Sequence, residues 1–444
     1  MPDQPTQARC TRCGLTTTMP ALLVWTHVSP KKSYCPPCAE RQAFRNHLIL
    51  RGSLIFWVLV FCLGADDQLH VLKFALVLLG VWIIGNSMLL LLHELSHAAV
   101  GSLVGLRIFK VGLGYGRPLW TFTARRTEYA LARTLAGGSC IMAPLSAHGA
   151  RWRIFIAIAA GPMVHIVLIP MVVLFGALTH VAWRNPTRIG EFIALELIAM
   201  NLMLLVSNVR PRSIQRDGQQ ILSDGAQLLL LLRQPQPRIQ QFLLTGCSQE
   251  IELARQAHDL PGQQKWIEKA RTFGAKQLLL DQFQWSILMQ QRSWRELQDF
   301  CTLAAARSQD LAWSFYISHA WSHVMLDEPG GIDQAAQLAA AYRAILPWDY
   351  ALDLLQAEIS VMNGQLESAD ESLRRATRNN PPLLFRTEVA CVQAQLALRR
   401  GNRPKAESLL AWARRYDDHC MLADRAAREL RICQKITLSI DSVR

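Results

Sequence analysis

The 444-residue sequence is short of charge: only 18% of it is Asp, Glu, Lys or Arg, while 51% is hydrophobic. A disordered chain needs the opposite balance, and an ordinary soluble enzyme rarely reaches a mean hydropathy of +0.13. The opening residues MPDQPTQARC lack an apolar core, so no cleavable signal peptide is expected there. A disulfide framework is missing too. Of eleven cysteines, four form two Cys-x2-Cys pairs and the rest are scattered, as in a reducing compartment. From Ile154 to Ala182 there is no formal charge at all, which excludes a solvent-facing helix.

What is present is unevenly placed. Apolar residues concentrate between Leu48 and Val209, and the last 200 residues read as soluble. Four stretches, Leu48–Gly64, Leu69 to about Val104, Ile154–Ala182 and Phe192–Val209, each reach the roughly 17–20 residues that cross a bilayer. The formal charge of +13 is not spread evenly either. Residues 1–51 carry seven Lys/Arg against two acids, and residues 101–153 carry eight against one. This positive-inside asymmetry places the N-terminus, the central loop and the C-terminal half in the cytoplasm, and nucleic acid is not the expected partner.

The fold class expected is mainly α: a polytopic membrane helix bundle of about four spans, with soluble parts at both ends. The domains expected are residues 1–46, 47–240 and 241–444. In the first, Cys10, Cys13, Cys35 and Cys38 offer four thiolates on two short knuckles separated by 21 residues, the pattern of a structural zinc ribbon. Such a closed site leaves no position for a substrate and serves folding or docking. Between the second and third spans, Ile108–Leu113, Leu119–Thr123, Glu128–Leu135 and Ser139–Pro144 look extended and are punctuated by glycines, which predicts a small sheet at the membrane surface.

The C-terminal part repeats itself. Gly364-x4-Ala369-x3-Leu373-x2-Ala376 returns 37 residues later as Gly401-x4-Ala406-x3-Leu410-x2-Ala413. A weaker copy, Gly330-x4-Ala335-x3-Ala339-x2-Tyr342, lies 34 residues before the first. The spacing resembles the tetratricopeptide repeat and predicts an α-solenoid that binds a cytosolic protein partner.

The sharpest chemical feature is His93-Glu94-Leu95-Ser96-His97, at the end of the second span. On a helix the histidines are i and i+4, so both imidazoles reach one metal ion, and Glu94 is placed to take a proton from a metal-bound water. Ionisable groups at membrane depth cost about 2.5–3.5 kcal/mol each, so three together point to function. A catalytic zinc takes three protein ligands and keeps a fourth position open. Either Asp217-Gly218 or Asp224-Gly225 stands at the right depth to supply the third. The residues alone leave both open.

From about Phe56 to Leu232 the sequence resembles the site-2 protease family of intramembrane zinc metalloproteases. The resemblance rests on HExxH in a membrane helix, Val111-Gly112-Leu113-Gly114-Tyr115-Gly116, Ala136-Gly137-Gly138, Gly161-Pro162, and Asn208-x2-Pro211 followed by Asp-Gly. It implies cleavage of a transmembrane protein substrate in or near its membrane segment, in regulated intramembrane proteolysis, by an integral protein of a bacterial cytoplasmic membrane. It also implies a substrate-binding role for Gly137, Gly138 and Asn208, and an aspartate as third zinc ligand: Asp224 is preferred, fitting versions of the motif with a longer insertion and an apolar helix continuing through Leu228–Leu232, and Asp217, nearer the compact version, is the alternative. One departure stands out: His165 occupies a place where the family often has Asn. It could hold substrate backbone, offer the metal another contact, or be hydrogen-bonded inside the bundle. Two zinc ions are expected, one catalytic and one structural. The rival readings are a membrane-anchored scaffold with a vestigial metal site and a peptidase that matures a small exported peptide.

Overall fold

The computed structural model describes residues 8–10, 16–17, 24–26, 29–34, 38, 68–182, 189–216, 219–307, 313–347, 349–378, 383–417 and 420–441. The chain divides into two compact units: residues 22–280 form one, and residues 1–21, with the antiparallel pair β1 (Ala8–Arg9) and β2 (Thr16–Thr17), form the other together with 281–444.

In the first unit, a short hairpin of β3 (Val24–Thr26) and β4 (Ser29–Tyr34) precedes three apolar helices. These are α1 (Gln68–Leu103), α2 (Ala150–Ala182) and α3 (Ile189–Val209). Two of them contain stretches long and apolar enough to cross a membrane, Leu76–Leu103 and Ala150–Leu174. Ile84, Met88, Val167, Met171 and Leu174 on these helices are exposed, an arrangement that suits lipid and not water. Of the four spans expected, Leu48–Gly64 lies outside the described residues. The fourth is a helix whose described apolar part, Ile193–Val209, is shorter than the other two. Pro162 and Pro170 sit inside α2 without ending it. The three helices meet where Leu89 and Leu90 pack on Met200 and Leu204, and Gly85 lets α3 come close.

Between α1 and α2 the chain forms β5 (Arg107–Ala124) and β6 (Thr127–Ala143), joined by a tight turn with positive φ at Arg125 and Arg126. Both strands bend, and the pairing makes four segments of a mixed sheet. Residues 107–113 run antiparallel to 138–143 on one side, while 110–113 run parallel to 128–131 on the other. Residues 118–124 return antiparallel to 127–132 and form the outer edge. The sheet expected from the glycine-punctuated loop is therefore present. Thr127 Oγ1 donates to Ile108 O at 2.9 Å and Lys110 pairs with Glu128 at 2.8 Å, which fixes the central register. Leu106, Ile108, Val111, Met142, Ile154, Ile158 and Leu231 form the core beneath it.

After α3 come a second hairpin, β7 (Ser213–Arg216) and β8 (Gln219–Leu222), and α4 (Asp224–Arg233). Ser223 caps α4 by accepting from Ala226 N. The amphipathic helices α5 (Pro235–Gln256) and α6 (Leu260–Thr272) belong to this unit, where Gly246 packs on Ala143 and Pro144.

The helices α7 (Gln277–Gln291), α8 (Trp294–Arg307), α9 (Trp313–Leu326), α10 (Gly331–Ile345), α11 (Tyr350–Met362), α12 (Leu366–Thr377), α13 (Leu383–Arg399), α14 (Arg403–Tyr416) and α15 (Met421–Asp441) follow, and from Asp281 on they belong to the other unit. Gly330, Gly364 and Gly401 each take a positive φ, from 72° to 77°, just before α10, α12 and α14. The small residues that repeat after them, Ala335, Ala369, Ala376, Ala406 and Ala413, are at most 1% exposed. The same unit buries an ion pair, Arg425 Nε to Glu358 Oε1 at 3.0 Å.

Candidate metal centre

Two helices supply the donors, and α2 and α3 pack around them. HExxH ends the apolar run of α1, and its i, i+4 spacing turns both imidazoles to one side, where His93 and His97 are 3% and 4% exposed. Asp224 is the first residue of α4 and brings Oδ2 to 3.0 Å from His93 Nε2 and 3.4 Å from His97 Nε2. The two Nε2 atoms are 3.1 Å apart. Among the described residues this is the group of His, Cys, Asp and Glu side chains able to hold a metal ion.

The donor set fits zinc. A tetrahedral zinc with ligands at about 2.0–2.2 Å spaces them about 3.3 Å apart, close to the three separations found here. The hydrogen bonds agree: His97 Nδ1 donates to Ala157 O at 2.8 Å, so the neutral ring turns the lone pair of Nε2 toward the carboxylate. Cys140 on β6 lies nearby: burial, then the charges of Glu94 and Asp224, push its thiol up to about 12, so it stays protonated and is not a donor.

Missing side chains explain the motif glycines. A Cβ on Gly161 would overlap both ligand imidazoles. A Cβ on Gly138 would overlap the carboxylate of Glu94, which is 7% exposed and faces the start of the 138–143 segment. A Cβ on Gly225 would strike the backbone carbonyl of Val209, so glycine lets α4 seat against the end of α3 and sets the position of Asp224. Gly137 has φ +117°, a conformation that L side chains rarely adopt.

The other residues expected from the sequence fall as follows. Asp217, Cys13 and Cys35 lie outside the described residues. Cys10 and Cys38 are each buried. Asn208, in the last turn of α3, donates to Leu204 O at 3.0 Å. His165 on α2 is fully buried, with Nε2 3.2 Å from His93 Nδ1 and Nδ1 3.0 Å from Asn201 Oδ1. Asn201 and Ala157 are the participants that sequence reasoning missed. Asn201 did carry a signal, being an isolated amide within the apolar run of α3.

No curated protein matches the chain. The sequence model of peptidase family M50 matches residues 81–366, more than half of the chain and all of the centre just described. The family is that of the site-2 proteases, zinc-dependent metallopeptidases of membranes, and this chain belongs to it.

Proposed function

We propose that the chain is a zinc endopeptidase that cuts a peptide bond in or near a transmembrane segment of its substrate, in regulated intramembrane proteolysis. The observation that carries this reading is the convergence of His93 Nε2, His97 Nε2 and Asp224 Oδ2 with Glu94 held beside them. These three residues would hold the zinc. Bound there, it would supply a water of pKa near 7 and a polarised scissile carbonyl. Glu94 would accept the proton of the attacking water and return it to the leaving amine nitrogen. The Asp224 carboxylate balances part of the positive charge, and the surrounding apolar helices keep bulk water from the reacting groups.

A helical peptide bond is already hydrogen-bonded, so the substrate must unwind first. The 138–143 segment supports how it is held. It pairs with 107–113 on one side, and among the described residues no strand pairs with its other edge. Gly137 and Gly138 begin that edge next to Glu94, where an unwound segment can add as a strand. The exposed Leu119, Trp120 and Phe122 at the far edge suit the bilayer interface. The two termini are read as cytoplasmic from the basic loops. Cys10, Cys13, Cys35 and Cys38 are read as a second, structural zinc site, and the Gly–Ala–Ala repeats as a tetratricopeptide-like surface for a cytosolic partner. Against a scaffold with a vestigial site speaks Glu94, which a structural site does not need.

The test uses detergent-purified full-length chain and a single-span reporter whose membrane segment contains glycines. Glu94→Gln should keep its zinc and cut no reporter. Residual turnover above background would overturn the base role of Glu94. Asp224→Asn should lose the membrane-site zinc, and full retention would remove Asp224 from the ligand set.

A further inference from the structure

His165 and Asn201 are both 0% exposed, within a bundle where an unpaired polar group is expensive. Their bonds form a chain with a fixed direction. Asn201 Nδ2 donates to Leu197 O at 2.8 Å, so the amide cannot turn over without facing one oxygen with another. Its Oδ1 is therefore the atom 3.0 Å from His165 Nδ1, and an amide oxygen only accepts. His165 Nδ1 must carry the proton, which leaves a lone pair on His165 Nε2. That atom is 3.2 Å from His93 Nδ1, so His93 Nδ1 is the donor. The consequence at the far side of the ring is that His93 Nε2, facing Asp224 and His97, presents a lone pair and not a proton.

We propose that Asn201 and His165 are positioning residues that set the tautomer and ring orientation of His93, and so prepare it as a metal ligand. The inference rests on the metal-centre reading above. His165 is not a fourth ligand in this arrangement: it reaches the Nδ1 side of His93, away from the point where the three ligand atoms meet. Nor is it free to bind substrate, since both ring nitrogens are occupied and the side chain is fully buried. His97 obtains the same service from a backbone carbonyl, Ala157 O. His93 has a side-chain relay across two further helices instead, so residues of α2 and α3 tune a ligand of α1. Partners of this kind are worth about 10–100-fold in metal affinity.

The experiment measures the zinc dissociation constant of the detergent-purified full-length chain by competition with a chromophoric chelator. The His93→Ala chain is subtracted, so that the N-terminal thiols cancel. His165→Phe should weaken zinc about 10–100-fold. His165→Gln, whose amide oxygen can still accept from His93 Nδ1, should stay within about threefold of wild type. Asn201→Leu should weaken zinc about tenfold, whereas Asn201→Asp keeps the acceptor and should bind at least as tightly as wild type. The visible bands of the cobalt-loaded chain should shift in His165→Phe and Asn201→Leu alone. Wild-type affinity in His165→Phe, or equal affinity in Asn201→Leu and Asn201→Asp, would overturn the relay. Equal loss in His165→Gln and His165→Phe would also overturn it, in favour of a ligand. If His165→Phe does not fold, the two Asn201 variants decide alone. If His93→Ala binds as much zinc as wild type, the metal-centre reading itself fails, a result distinct from all of these.

Discussion

The two units use small residues to different ends. Around the metal centre, Gly138, Gly161 and Gly225 leave out a side chain so that Glu94, the two histidines and the seat of Asp224 can occupy the space. In the unit of repeated helices, Ala335, Ala369, Ala376, Ala406 and Ala413 are small so that neighbouring helices can pack close. The same chemical change, one or two extra methyl groups, should therefore damage function in the first place and stability in the second. Smallness at the centre makes room for a functional group, and in the repeats it makes room for a fold.

That contrast can be broken at several points. Gly161→Ala places a methyl against both ligand imidazoles, and zinc affinity should fall more than about 100-fold, read by chelator competition. Gly138→Ala displaces only Glu94, so zinc should stay while kcat for a reporter falls about 100-fold. If Gly138→Ala lost its zinc as well, the glycine would be packing the ligands and not the base. Ala369→Val and Ala406→Val overfill a well-packed core and should cost about 1–3 kcal/mol each in thermal or denaturant unfolding. Below the unfolding transition both should cleave the reporter at the wild-type rate. A loss of cleavage in a folded chain would show that the two units are coupled more tightly than this division allows.

The smallest effect concerns charge. Burial raises Glu358 to about 7, against the opposing pull of Arg425. The folded unit thus binds a proton that the unfolded chain, with an ordinary carboxyl, has released, and stability falls as pH rises from about 5 to 7. Glu358→Gln should remove its share of this slope, at most about 1.4 kcal/mol per pH unit, and leave the share of Glu388, which burial raises to about 8. An unchanged slope in Glu358→Gln would assign the proton to another group.

The chemistry was easier to read in the sequence than the architecture. His93 and His97 announce themselves because the i, i+4 spacing is a local property of one helix, and the two Asp-Gly pairs narrow the third ligand to Asp224 or Asp217. The four extended pieces of the central loop were legible from their glycines. Their mixed order was not: the parallel pairing of 110–113 with 128–131 depends on a bend in each strand, and local patterning carries no trace of it. The reasons behind the motif glycines also needed three dimensions, since the atoms they avoid belong to other elements. Asn201 was missed because one amide in a leucine-rich helix matches no motif, and its meaning lies in a partner 36 residues away. The soluble look of α5 and α6 concealed that both belong to the unit of the membrane helices.

The aspartate that completes the centre stands 131 residues beyond His93. A chain still emerging from the ribosome therefore owns two histidines and a glutamate but no third donor. Until α4 has settled against the end of α3 through Gly225, the centre has only two of its three donors. Splitting the donors across the length of the bundle makes the centre a property of the finished fold and not of any one helix.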